Sequence, residues 1–373
     1  MGALGQVSFF VALIFVIVIH EAAHFGVAKA FGIKVTEFFV GFGPRIWSTK
    51  RGDTEYGFKW IPAGGYVKIA GMNPYEQVPP EDLPRTYGAK PAWQRALVIV
   101  AGPATHFVLA FLCFAIWLGF VGEPRFVDPV IERVPQQLGD RPSPAFTAGL
   151  QDGDVIVRVN GISHPSTDEL LAYTQQHVGE PIEITVRRDG GSVTTEVVPV
   201  FSTIGGERIA RIGVVLASGR ELRETRGVLD AIVGGADLVG ESAVATVDGV
   251  GRVFGPSGIE RVIELVFTDA PRTLEDPASV VGVGRVAGDF ASRGDYWDIL
   301  SLFGYVNVFV GLLNLLPLPP FDGGHLAVLV LEKIRGKPVD MRKIVPVSAV
   351  VAAFFILFTV AVVYVDLVKP PNF

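Results

Sequence analysis

His20-Glu21-Ala22-Ala23-His24 closes an N-terminal run that carries no charged side chain from Met1 to Ile19. In a helix, His20 and His24 stand four apart on one face, about one turn or ~6 Å of rise, so two imidazoles can reach one ion. Glu21 lies beside them, placed to polarise a water rather than to bind the ion. This is the H-E-x-x-H pattern of zinc hydrolysis. The flanks Phe9–Ile19 and Phe25–Ile33 are almost wholly apolar, with Lys29 their only full charge. A solvated helix face does not explain such a cluster, and ionisable groups at membrane depth point to function.

Working outward, the whole chain has the composition of a membrane protein with water-exposed parts. It has 373 residues, of which 19% are charged, and a mean hydropathy of +0.42. That is too apolar for an ordinary soluble protein and too charged for a wholly buried one. The formal net charge of -6 argues against nucleic acid as a partner. The single cysteine, Cys113, sits in an apolar run and reads as packing.

Four runs meet the roughly 20 apolar residues that a bilayer core requires: Gln6–Phe31, Ala96–Gly122, Ile299–Phe321 and Ile344–Val365. The first lacks a charged leader and a cleavage site and carries the chemistry, so it reads as retained. Lys29, Lys34, Lys50, Lys59, Lys68 and Lys90 precede the second span, and Lys333, Lys337 and Lys343 lie between the third and fourth. Positive-inside bias then puts residues 34–94 and 323–343 in the cytoplasm and residues 123–298 outside. The histidine pair falls toward the cytoplasmic end of its span. The expected organisation is a first membrane segment (1–122), an extracytoplasmic α+β insert (123–205), an extracytoplasmic amphipathic helical and connecting region (206–298) and a second membrane segment (299–373).

Between the first two spans, Tyr56–Ile61 alternates and Gly65-Tyr66-Val67-Lys68-Ile69 is a short β-like piece between glycines. It reads either as a small hairpin sheet covering the helix ends or as a sheet edge offered to a peptide. The second reading has a physical motive, since a protease must hold its substrate extended and an edge strand does so through main-chain bonds. Residues 72–94 read as a loop. The second span carries Ala101-Gly102-Pro103-Ala104-Thr105-His106, whose Gly and Pro favour close helix approach and a local break. His106 reads as a packed polar residue, a proton carrier or a further ligand.

Residues Ser143–Gly161 resemble the heart of a bacterial PDZ domain, followed by a helix over Ser166–His177 and strands over Ile182–Arg188 and Ser192–Val198. Such domains capture chain ends or strands at a sheet edge; the other reading is a steric cover. Residues 227–254 place Val228, Ile232, Val239, Val247 and Val250 opposite a stripe of Asp230, Asp237, Glu241, Asp248 and Arg252. This spacing predicts an amphipathic helix on the outer membrane surface or on the PDZ-like part, with a second piece over Gly258–Phe267.

The third span ends Asn314-Leu315-Leu316-Pro317-Leu318-Pro319-Pro320-Phe321-Asp322-Gly323-Gly324-His325. Prolines break the helix and glycines permit a turn, presenting Asp322 at the depth assigned to His20 and His24. Two imidazoles and one carboxylate with an open fourth position form the catalytic zinc pattern. Asn314 reads as a donor to a substrate carbonyl or oxyanion, or as an interhelical hydrogen bond. His325 reads as a neighbour of the site or as the start of the next helix.

Taken together, H-E-x-x-H, the PDZ-like insert and N-x-x-P-x-P…D-G-G resemble the site-2 protease family of intramembrane zinc metalloproteases. The likeness is greatest to bacterial members that cleave anti-sigma factors in envelope-stress signalling. It implies a polytopic α-helical membrane protein with four transmembrane helices, a membrane-associated β-loop and an inserted α+β PDZ-like domain, in the bacterial plasma membrane. It implies that His20, His24 and Asp322 bind Zn2+, that Glu21 is the base, and that Asn314 and the loop Gly65, Tyr66, Val67, Lys68 and Ile69 hold substrate. The partners it implies are the lipid bilayer, a single-span anti-sigma-factor-like substrate and an upstream site-1 type protease. Many relatives have Asn at the position of His106, and some have two PDZ units. Rival readings are a zinc transporter or sensor, or a PDZ scaffold without hydrolysis. Transport lacks a polar path, since Val7–Val18 offers only Ser8.

Overall fold

The computed structural model describes residues 2–139, 141–204, 207–273 and 276–370. Among these residues ten α-helices follow in chain order: α1 (Gly2–Ala30), α2 (Ala92–Phe120), α3 (Pro144–Thr147), α4 (Thr167–Gln176), α5 (Val228–Phe254), α6 (Pro256–Phe267), α7 (Val280–Arg293), α8 (Asp298–Asn314), α9 (Asp322–Arg335) and α10 (Val345–Val368). Two compact units form: residues up to Phe120 join those from Arg226 onward, and Val121–Thr225 stand as the second. The boundary expected between 205 and 206 falls outside the described residues. The described chain on either side of it, through Thr225, belongs to the second unit, and Arg226 onward groups with the first.

Among the described residues, three helices are long and apolar enough to cross a membrane: Gly2–Ala30, Ala92–Phe120 and Met341–Val368. This is a membrane-embedded protein. In place of the expected third span to Phe321, α8 has 17 residues and stops at Asn314. Pro317, Pro319 and Pro320 each lack the N–H that a further turn needs. At 1.5 Å per residue α8 covers only about 25 Å, and the non-helical stretch to Phe321 completes the path to α9.

Three apolar clusters hold this unit together. Phe9, Val16, Ala287 and Phe303 join α1, α7 and α8. Ala110, Phe114 and Val308 join α2 to α8, with Leu238, Val239 and Ala243 of α5 packed on them. Ala28, Ile33, Val35, Ile69, Val98, Ile99 and Leu329 close the far end of α1 against α2 and α9. The amphipathic helix α5 therefore lies along α2 and α8. Its buried face consists of Ala231, Gly234, Gly235 and Ser242, small residues that let helices approach closely. Of the apolar residues named from sequence, Val228, Ile232 and Val247 face outward, at 81%, 46% and 60% exposure, while Val239 packs on the α2–α8 cluster. At the other end of the unit, Asp366 of α10 accepts from the backbone N–H of Ser279 at 2.7 Å and of Gly282 at 3.2 Å. It thus caps α7 from a different helix, with Arg272 at 2.6 Å as its counter-ion.

Two strands, β1 (Val35–Arg51) and β2 (Thr54–Ile69), fold back on one another. Phe38 pairs with both Val67 and Tyr56, while Trp47 pairs with Phe58. The register places Val35–Val40 between the two halves of β2. Residues 65–69 run along the outside, and among the described residues no strand lies beyond them.

The second unit is an α+β structure. Its main sheet runs in the order Gly191–Val197, Ile182–Arg188, Val155–Val159, Val130–Arg133, Val215–Ala217. Ile131, Ile156, Val159, Leu170, Ile182, Ile184 and Val186 fill its core. Ser166 and Glu169 form a reciprocal capping box at the start of α4, which sets that helix where the sequence placed it. Arg188 clamps the buried Asp154 through Nε and Nη2, both at 2.7 Å. Burial opposes ionisation of Asp154, but the Arg188 bonds and the Gln151 N–H outweigh it and hold the carboxyl below its ordinary value. The clamp therefore contributes fully above the unfolded carboxylate value of about 4 and is lost as pH falls through the lowered native one. Asp154→Asn is expected to cost about 1.5–3 kcal/mol at neutral pH and little in acid, measured as hydrogen-exchange protection across Ile182–Arg188.

Candidate metal centre and active site

Three helices converge on one point. His20 and His24 project from α1, both buried, and Asp322 opens α9. His20 Nε2 and His24 Nε2 each lie 3.3 Å from Asp322 Oδ2, and the two nitrogens lie 3.1 Å apart. Among the described residues this is the one group of three His, Cys, Asp or Glu side chains able to hold a metal ion. A tetrahedral zinc with bonds of about 2.0–2.2 Å sets its donors roughly 3.3–3.6 Å apart, so the triangle fits that ion. Asp322 Oδ2 is buried with no hydrogen-bond partner, a costly state unless a cation satisfies it. His24 Nδ1 lies 2.7 Å from the Val98 carbonyl; a carbonyl only accepts, so neutral His24 carries its hydrogen there and turns a lone pair inward.

The neighbouring backbone makes room for this geometry. A Cβ on Gly102 would fall 2.2 Å from His24 Nε2 and 2.7 Å from His20 Nε2, so only glycine lets α2 pass the ligands. A Cβ on Gly323 would fall 2.2 Å from the Leu315 carbonyl oxygen, and one on Gly324 2.4 Å from the Pro319 nitrogen. The Asp-Gly-Gly sequence is thus the seat on which the proline-rich turn rests. Farther along α9, Glu332 receives Arg95 of α2 at 2.9 Å, which ties α9 to the helix facing the histidines.

Glu21, half-buried, stands one residue from His20 and faces the outer strand of the sheet. A Cβ on Gly65 would meet Glu21 Cγ at 3.2 Å. Ile69 is buried in the core below. Strand alternation turns Tyr66 and Lys68 to the opposite face, where the Tyr66 hydroxyl donates to Glu37 at 2.5 Å and Lys68 pairs with Glu37 at 3.5 Å. Their side chains are engaged away from Glu21, so what residues 65–69 offer the site is backbone. Asn314 is the last residue of α8 and half-buried, and among the described residues no side-chain partner engages its amide. His325 lies in the first turn of α9 and lines cavities of about 110 and 210 Å³ together with Met72 and Met341.

His106 does not belong to the ligand triangle. Its Nε2 meets His20 Nδ1 at 3.0 Å, on the edge of the ring away from Asp322. Its Nδ1 meets Asn307 Oδ1 at 3.0 Å. The sequence reading missed Asn307, since a single amide in an apolar helix has no local signature. The signal that could have found it is its place at i, i+4 and i+7 with Gly311 and Asn314, which share one helix face.

A divalent-ion site with an adjoining carboxylate, held among membrane-length apolar helices, defines a membrane-embedded metallopeptidase. Comparison with known proteins agrees. The profile described as Peptidase family M50 matches residues 8–358. The chain is 32% identical over 401 residues to zinc metalloprotease Rip1 of Mycobacterium tuberculosis, covering 98% of each chain. It is 32% identical over 406 residues to zinc metalloprotease Rip1 of Mycolicibacterium smegmatis, covering 99% of this chain and 98% of the relative. The chain belongs to peptidase family M50, the site-2 proteases, and is a zinc metalloendopeptidase. Among solved structures, the PDZ domain of an SdrC-like protein from Listeria monocytogenes aligns at 22% identity, with 25% of this chain and 85% of that one covered and a TM-score of 0.18.

Gly102→Ala should displace both imidazoles while leaving an otherwise favourable helix residue. An ångström-scale shift at reacting groups costs on the order of 100-fold, so peptide cleavage is expected to fall by at least that much. Zinc content of the purified protein, measured by atomic emission, should fall with it.

Proposed function

We propose that this protein hydrolyses a peptide bond in or near the transmembrane segment of single-span membrane proteins. The observation that carries this is the position of Glu21, between the metal-ligand triangle and an unpaired strand edge. His20, His24 and Asp322 are the residues that would hold zinc. When bound, zinc supplies Lewis acidity, which acidifies a water and polarises the scissile carbonyl. Glu21 takes a proton from the attacking water and returns it to the leaving amine. Residues 65–69 pair with the substrate as an added strand, exposing a bond that a helix keeps wrapped. Asn314 donates from its unengaged amide to the substrate carbonyl or the developing oxyanion.

The lysine asymmetry supports an active site opening toward the cytoplasm, with the α+β unit outside. The sequence likeness of Ser143–Gly161 supports a PDZ-like role for that unit, either capturing a chain end or excluding substrates that keep a bulky ectodomain. The family resemblance supports an anti-sigma-factor-like substrate, trimmed first by a site-1 type protease, in a bacterial plasma membrane. Glu21→Gln should retain one zinc per chain and lose about 10²–10⁴-fold in cleavage of a single-span reporter. Undiminished cleavage would end the hydrolytic reading and leave a zinc transporter or sensor. Membrane proteomes of cells carrying the active and Glu21→Gln proteins should differ in the substrate, which accumulates uncut in the second.

A further inference from the structure

Behind His20, on the side away from Asp322, buried polar groups run in line across three helices. His20 Nδ1 lies 3.0 Å from His106 Nε2. His106 Nδ1 lies 3.0 Å from Asn307 Oδ1. Asn307 Nδ2 donates to the Phe303 carbonyl at 2.8 Å. His106 is 1% exposed and Asn307 2%, so water does not compete for these bonds.

The far end decides the direction of the chain. A backbone carbonyl only accepts, so the Asn307 NH2 group faces Phe303 and the amide oxygen faces His106. An amide oxygen only accepts as well, so His106 carries its hydrogen on Nδ1. A second hydrogen on His106 would create a buried cation with no carboxylate in contact, which is costly. The Nε2 of His106 is therefore a lone pair, and it accepts from Nδ1–H of His20. His20 is left with its own lone pair on Nε2, the atom 3.3 Å from Asp322 Oδ2. His24 reaches the same state more directly through the Val98 carbonyl.

Resting on the reading of His20, His24 and Asp322 as zinc ligands, we propose that His106 and Asn307 are positioning residues that fix the tautomer and ring plane of His20. A metal-binding imidazole that has two hydrogen positions available spends part of its time with the wrong nitrogen turned to the ion. The relay removes that alternative from a distance, with α8 setting the state of a ligand on α1. The seat is built for it, because Gly311 sits one turn from Asn307 and a Cβ there would lie 3.0 Å from the His106 Cβ. Mere packing does not account for the line: an apolar pair of the same shape fills the space without burying polar atoms, and leaves His20 free to turn its hydrogen inward.

The test uses the full-length protein in detergent, with zinc affinity measured by competition against a chelator and the visible bands of the cobalt-substituted protein as a second readout. Asn307→Leu and His106→Leu should each weaken zinc by roughly 10–100-fold, the usual cost of removing an orienting partner behind a ligand, and should change the cobalt bands. Asn307→Gln, which keeps a neutral amide oxygen to accept from the same Nδ1–H, should bind zinc comparably to wild type with unchanged bands. If Asn307→Leu does not fold, His106→Gln against His106→Leu makes the same comparison, because the Gln oxygen accepts where Nε2 did. Leucine variants that hold zinc as tightly as wild type would overturn the proposal, as would acceptor-keeping variants that lose as much as the leucine ones. A wild-type protein that takes up no zinc would instead remove the ligand assignment beneath it.

Discussion

Three acceptor atoms pointing at one another, in a setting that excludes most water, form an arrangement that only a cation stabilises. His20 Nε2, His24 Nε2 and Asp322 Oδ2 stand 3.1–3.3 Å apart, and the carboxylate oxygen has no other partner. Much of the membrane unit can be understood as what holds that triangle. The spacing of α1 supplies two corners. The third requires a helix that starts at the right depth, which the proline-rich turn, its two glycines and the Arg95–Glu332 tie together provide. Gly102 then lets α2 pass close enough to lend Val98 and His106 to the backs of the ligand rings.

The proposed cleavage also requires an extended substrate. Helices bury their own carbonyls, so a peptide bond in a helix is sheltered even beside a competent metal site. The folding back of β1 and β2 answers this by laying Gly65–Ile69 along the outside of the sheet, with Glu21 against it. The same hairpin exposes Trp47, Phe58 and Trp60, each more than half accessible. Aromatic side chains of this kind favour the boundary between lipid and water, which suits a sheet anchored beside apolar helices.

Helix α5 shows how composition and depth can be confused. Its acidic residues recur at seven and four, and Asp230, Asp237, Glu241 and Asp248 are all exposed. That pattern suggests a helix lying on a surface. Its contacts place it along α2 and α8, because its fully buried residues are Ala231, Gly234, Gly235 and Ser242, with Leu238 and Val239 beside them. Close approach between helices depends on small residues when lipid itself is as apolar as the side chains. Hydrophobicity alone therefore points to the wrong face.

Much of the candidate site was legible in the sequence because its signals are local. H-E-x-x-H needs only helical spacing, and the prolines and glycines around Asp322 declare a helix end. Long apolar runs reveal spans, and the capping pair Ser166 and Glu169 marks the start of α4. What the sequence could not contain was distance between segments. The backward fold of β1 and the lengthwise packing of α5 depend on contacts among residues far apart in the chain. Asn307 was invisible for the same reason, since an amide in an apolar helix has no meaning until another helix brings His106 against it. Local chemistry named the two histidines, the glutamate beside them and the aspartate. Only tertiary packing decided which ring nitrogen faces the ion, because that choice is made by partners on other helices.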